Sequence, residues 1–202
     1  MIVRWVVAVL LLSCIVHAQV VQYAGPNSLG PFRLDRKIPL SKIFEEVGKP
    51  ATSATGVTCF RSKSNVAFLQ LSPQGDAYDS YRIAGFALIS SFPNCIDRTV
   101  QVTEADIQNW KTEKGIGLGS SEADVLKVYG RPSAVHRITG NAYRSVIVGD
   151  YDTKTGRYSN QVRPELGDKV FAYAPGKNND PRGAVFGIRG GLVVWIEMSK
   201  SE

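Results

Sequence analysis

Two short stretches of the chain carry apolar residues at helical spacing. Ile43, Phe44 and Val47 fall at i, i+1 and i+4, and Val125, Leu126 and Tyr129 repeat that spacing. Ser41 is placed to cap the first helix, and Gly48 with Pro50 ends it. Ser121 and Asp124 form a capping box for the second, and Gly130-Arg131-Pro132 stops it. Helices of barely two turns are unstable alone, so both apolar faces must dock on a larger element.

That element is expected to be a sheet, because elsewhere the apolar period is two. Residues 57–61 are rich in strand formers. Residues 65–71 put Val66, Phe68 and Gln70 on one face and Ala67, Leu69 and Leu71 on the other, and 83–89 make a third strand. Ser72-Pro73-Gln74-Gly75-Asp76 has the chemistry of a turn. In the second half, 146–151 and 157–162 flank a hairpin loop, 152–156, whose Gly156 accepts positive φ. Strands follow at 169–173, 184–188 and 192–198, the last two paired about Gly190-Gly191. Residues 19–36 have no period and read as an extended lead-in. Thr103 offers a helix start, with Ile107 and Trp110 three apart on its inner face.

The two halves share an order. Ile43 and Val125, Phe44 and Leu126, Val47 and Tyr129, Gly48 and Gly130, and Pro50 and Pro132 are each 82 residues apart. One register across apolar face, stop glycine and proline predicts a duplicated unit. The expected fold is α+β, with two tandem units, each of short helices packed on one face of an antiparallel β-sheet. Their expected spans are 37–102 and 103–202, after a leader at 1–18 and the lead-in at 19–36.

The leader changes the cellular address. Met1-Ile-Val-Arg4 is a short positive start, 5–12 is apolar, and Val16-His17-Ala18 has small residues where a signal peptidase reads, so the mature chain is expected to begin at Gln19. The apolar run falls short of the ~20 residues that span a bilayer. The protein is therefore expected to be secreted or periplasmic. The alternative is a lipid anchor in the cell envelope, since Leu11-Leu12-Ser13-Cys14 resembles a lipobox; membrane attachment is expected only if Cys14 is lipidated. Against that stand Ile15 and Val16, where a polar spacer is usual.

Composition adds less. The 202 residues are 44% hydrophobic, and the formal charge of +6 falls to +5 when Arg4 leaves with the leader. The bases are scattered singly, without the cluster that nucleic acid requires, so nucleic acid is not an expected partner. Beyond Cys14 the chain holds Cys59 and Cys95. In an oxidising compartment such a pair is expected to form a disulfide, contributing roughly 3–4 kcal/mol in the chain-entropy account. A reactive thiol is the competing reading, and it lacks an obvious partner.

Candidate chemistry thins out on inspection. Gly115-Ile-Gly-Leu-Gly119 invites a dinucleotide, but the third glycine of that fingerprint would fall at Ser120 and no buried strand precedes the run. A bend before a capped helix explains it better. Asp150, Asp152 and Gly156 imitate a calcium loop, with Lys154 at a ligand position and Gln161 where the closing glutamate belongs. His136 is the only histidine after the leader, and Gly119-Ser120-Ser121 is not a nucleophile elbow. Two cysteines and one histidine share no zinc spacing. The expectation is a protein that is not an enzyme, with no catalytic residues, metal site or cofactor. Aromatics remain: Tyr78 and Tyr81 lie in a polar, turn-rich segment, and Tyr151 and Tyr158 flank the hairpin loop. Part-exposed tyrosines of this kind are candidates for a partner surface. Alternatively their rings cover sheet edges while the hydroxyls stay wet.

Gly119, Ser121, Val125, Leu126, Gly130 and Pro132, echoed by Ser41, Ile43, Phe44, Gly48 and Pro50, form a signature that resembles the small α/β unit of the outer-membrane assembly lipoproteins. In tandem it is similar to the beta-lactamase inhibitor protein fold. The resemblance implies helices on one face of an antiparallel sheet, export, and work by protein contact. The chain departs from both families, because its second half has no cysteine and the lipobox is weak. The resulting expectation is an exported protein-binding or envelope-assembly module. The alternative is a binder of a small ligand or envelope component in the cleft between the units.

Overall fold

The computed structural model describes residues 23–34, 39–49, 58–74, 82–90, 100–137, 151–152, 157–158, 167–173 and 182–200. In chain order the elements are β1 (Ser28–Leu29), β2 (Phe32–Arg33), α1 (Leu40–Val47), β3 (Thr58–Arg61), β4 (Phe68–Gln74), β5 (Arg82–Ile89) and β6 (Gln101–Val102). A 3₁₀ turn at Ile107–Asn109 leads to α2 (Glu122–Tyr129). Then come β7 (Ala134–Arg137), β8 (Tyr151–Asp152), β9 (Arg157–Tyr158), β10 (Lys169–Tyr173), β11 (Arg182–Arg189) and β12 (Leu192–Lys200).

These elements correct the expected fold class. Instead of an α+β pair of tandem units with separate sheets, the protein is mostly β and is built on one eight-stranded mixed sheet. Its order is β6-β3-β4-β5-β12-β11-β10-β7. The join is made by β5 and β12, which run antiparallel with Trp195 opposite Ile89 and Met198 opposite Phe86. The mixture comes from β6, which lies parallel to β3 while the other neighbours are antiparallel. Pairing two interior strands gives the backbone N–H and C=O groups of Gly85–Ile89 and Trp195–Ser199 partners that two abutting sheets would leave unmet.

One register row explains the core. Phe60, Leu69, Leu88, Ile196, Phe186, Phe171 and Val135 stand side by side on successive strands. All but Val135 are buried. Ile43, Phe44 and Val47 of α1 and Val125 and Tyr129 of α2 belong to the same apolar cluster, so both helices dock on this face. The opposite face holds a smaller cluster of Phe68, Ala87, Ile89 and Trp195. The alternation of 65–71 therefore divides as its period requires, with Leu69 and Leu71 in the large cluster and Phe68 in the small one.

Each helix stop rests on a glycine. Gly48 has φ 95 and Gly130 has φ 71, values that L side chains resist, and each donates its N–H back to the helix, to Phe44 and Leu126. The starts differ. Helix α1 begins two residues early, with Pro39 at the cap and therefore no side-chain cap bond. Helix α2 has the expected box: Asp124 N–H donates to Ser121 Oγ at 3.1 Å, and Ser121 N–H donates to Asp124 Oδ2 at 3.2 Å. The Ser121 hydroxyl and N–H hold the Asp124 carboxyl below the usual carboxylate range. A carboxyl held low stabilises the fold above the ordinary carboxylate range, and that contribution is lost as pH falls through the lowered value. Ser121→Ala should lower the melting temperature by about 2–4 °C at neutral pH, with a smaller deficit in strong acid. Calorimetry across pH checks this, and an equal deficit at both pH values would refute the reciprocal bond.

The lead-in is not loose. Strands β1 and β2 form a separate two-stranded sheet about Gly30, and Leu29, Phe32 and Leu34 are buried in the main cluster. Gly30 has φ 56, and a Cβ there would lie 2.5 Å from the Trp110 ring. Asn27 and Ser28 donate their N–H groups, and Ser28 its hydroxyl, to Glu113 Oε2 at 3.1, 2.9 and 3.2 Å. Arg182 bonds the Asn27 side chain and stacks over the Tyr23 ring. A segment without apolar period can still carry three core residues when it lies across other elements, because its contacts are then set by the neighbours it meets and by no repeat of its own.

Candidate functional site

The glycine run 115–119 is a docking joint. Gly115 (φ 85) and Gly119 (φ 81) turn the chain. Gly119 N–H then donates to Val193, Val193 N–H to Ser120, and Glu122 N–H to Gly191, which fastens the start of α2 to the β11–β12 hairpin. That hairpin turns through Gly190 and Gly191, both at positive φ, as a two-residue primed turn demands. The N–H groups a phosphate would use are thus directed to the protein's own carbonyl, hydroxyl and carboxylate oxygens.

Farther along α2, Tyr129 packs against Tyr173 and Phe186 with ring centroids 5.9 and 5.6 Å apart. Its hydroxyl donates to Thr112 Oγ1 at 2.7 Å, and Tyr173 donates to the Gly130 carbonyl at 3.0 Å. Burial pushes the Tyr173 hydroxyl up to about 12 and raises that of Tyr129 further, so both stay neutral donors. At the other end of the helix, Lys169 of β10 reaches both oxygens of Glu122 at 2.7 and 2.6 Å, half-buried. These contacts hold α2 along β10; they tie together structural groups.

His136 lies on β7 opposite Val170, on the face away from the helices. Its Nε2 is a buried side-chain atom without a hydrogen-bond partner among the described residues. No group of three His, Cys, Asp or Glu side chains that could hold a metal occurs among the described residues. Among them, too, no helix is long and apolar enough to cross a membrane.

Of the residues singled out by sequence, Tyr78, Tyr81 and Cys95 lie outside the described residues, as does the 1–18 leader with Cys14. Cys59 is buried in β3, opposite Gln70 of β4. Tyr151 and Tyr158 are brought together: they are register partners in the two-stranded ribbon β8–β9, with Asp152 opposite Arg157. This ribbon is separate from the eight-stranded sheet. The two halves expected to flank a ligand cleft share one eight-stranded sheet, joined at β5 and β12.

Two exposed residues were not anticipated. Leu126, expected on the buried face of α2, is 38% exposed, and Val135 is 51% exposed on a strand that the sequence reading did not include. Four residues, Ala134–Arg137, are too few to display a period.

No protein-family model matches the chain, and no curated protein matches it. Among solved structures, a DUF4309 family protein (YjgB) from Bacillus subtilis is similar, with 11% identity and a TM-score of 0.40, over 80% of this chain and 77% of that one.

Proposed function

We propose that this protein is an exported, non-enzymatic binding module that engages a protein partner, in the role of an envelope-assembly or secreted factor. The observation that carries the reading is the register of Tyr151 with Tyr158. Two-residue strands joined in a ribbon are too short to be stable in water by themselves. Tyrosine offers large, rigid, amphipathic contact area at low entropic cost, and it recurs at the centres of protein interfaces. Export is supported by the positive start, apolar run and small-residue site within residues 1–18. In the same compartment Cys59 and Cys95 form the proposed disulfide.

The test is crosslinking in the native envelope or secreted fraction, comparing the wild-type chain with a Tyr151→Ser/Tyr158→Ser double variant of unchanged melting temperature. A partner specific to this surface should be captured by the wild type and bind the variant about tenfold or more weakly. Equal capture by both would sink the ribbon as the contact surface.

A further inference from the structure

The apolar row of the core does not stop at its last covered residue. It runs from Phe60 on β3 to Phe171 on β10, all buried, and continues onto β7 with Val135, opposite Phe171. Strand β7 ends the sheet order, and among the described residues no strand pairs with its outer side. Among the described residues Val135 is therefore an apolar position with a strand neighbour on one side, at 51% exposure. A sheet edge of this kind offers a row of backbone donors and acceptors to an added strand.

Helix α2 builds a wall beside that edge. Glu122 reaches Lys169 and Tyr129 reaches Tyr173, so the helix lies along β10. Leu126 is one turn on from Glu122, so it shares the flank of α2 that meets β10. Leu126 is 38% exposed. Leu126 and Val135 are thus two part-exposed apolar side chains on the two elements that flank β10.

The charge at this edge selects the occupant. Arg137 shares the Val135 face and stands opposite Lys169. Glu122 neutralises Lys169, whereas Arg137 has no ion pair among the described residues and is exposed. Two like charges directly opposite destabilise a sheet unless countered. A second copy of this chain, paired edge to edge, would bring another Arg137 to the same place. An acidic strand would bring the missing counter-charge.

We infer that the outer edge of β7 is a strand-addition site for an extended acidic peptide segment of a protein partner, with an apolar residue opposite Val135 and a carboxylate two positions away, opposite Arg137. The spacing follows from the two-residue period of a strand. The inference rests on the reading of the protein as a binding module and places a second contact on it, apart from the tyrosine ribbon.

The experiment is fluorescence anisotropy on the full mature chain with a labelled peptide of alternating valine and glutamate, and with its lysine-for-glutamate counterpart. The acidic peptide should bind saturably, more weakly as salt rises, and the lysine peptide should not. Arg137→Glu should weaken the acidic peptide roughly three- to tenfold and bring in the lysine peptide, a charge swap that an unfolded variant would not produce. Leu126→Glu, a surface change, should weaken binding without moving the melting temperature. No saturable binding, or equal binding by wild type and Arg137→Glu, overturns the site. So does concentration-dependent dimerisation that Arg137→Glu strengthens, since a second copy would then be the occupant. Loss of this site with crosslinking through Tyr151 and Tyr158 intact would leave the binding-module reading in place.

Discussion

Replacing Trp195 by alanine should destabilise the protein by about 3–5 kcal/mol. Trp195 is 1% exposed on the sheet face away from the helices, packed in a cluster with Phe68, Ala87 and Ile89. Its position in the register makes the loss large. It stands on β12 opposite Ile89 of β5, at the seam where the two interior strands meet, and opposite Gly187 on β11, which brings no side chain of its own to fill the space left. Its Nε1 also donates to Glu197 Oε2 at 3.2 Å. The cavity left behind costs both transfer energy and packing. Urea unfolding with an unchanged slope would register it as a fall in midpoint. Val66→Ala, at a position 55% exposed, serves as the control and should change stability by less than about 0.5 kcal/mol. If Trp195→Ala loses less than about 1 kcal/mol, the second face is not part of the cooperative core.

The other large effect is expected from Phe32→Ala, at about 3–5 kcal/mol. Phe32 is 3% exposed, and its ring meets Phe86 and Trp110 edge-on at centroid distances of 5.6 and 5.2 Å. Phe86 lies on β5, so the loss propagates from the lead-in to the centre of the sheet. The same variant should speed hydrogen exchange at Gly30 and Leu34, whose N–H groups donate to Lys111 and Asn27. A lead-in that merely precedes the fold would show neither change. Unaltered urea midpoint together with already rapid exchange at those two amides in the wild type would therefore contradict the packing of this segment.

The legible parts of this fold are the short-range ones. The capping box at Ser121 and Asp124, the stop glycines, the Gly190-Gly191 turn and the alternation of 65–71 each depend on residues within a few positions of one another, and each is present. Of the strands expected to flank 152–156, the described ends pair, with Tyr151 opposite Tyr158 and Asp152 opposite Arg157. Reading failed where the deciding neighbour was distant. Ser72-Pro73-Gln74 has turn chemistry, yet β4 runs through it with an irregularity at Ser72/Pro73, because β5 supplies the pairing. Leu126 matches Phe44 in the 82-residue register, yet one is exposed and the other buried. A residue's place on a helix is set locally, but its burial depends on whether a strand lies beneath it.

By itself the sequence determined the local geometry: where chains turn, which helix start is capped, which side chains share a strand face. Backbone sterics and bonds within three or four residues decide these matters. Only the tertiary structure decided that Ile89 pairs with Trp195, making one sheet of what local patterns present as two units. It also decided that Leu29 and Phe32 belong to the core and that the apolar row ends uncovered at Val135. Strand pairing joins positions far apart in the chain, and its free energy comes from burial and hydrogen bonding that exist only once both strands are in place. No local pattern carries the identity of the partner.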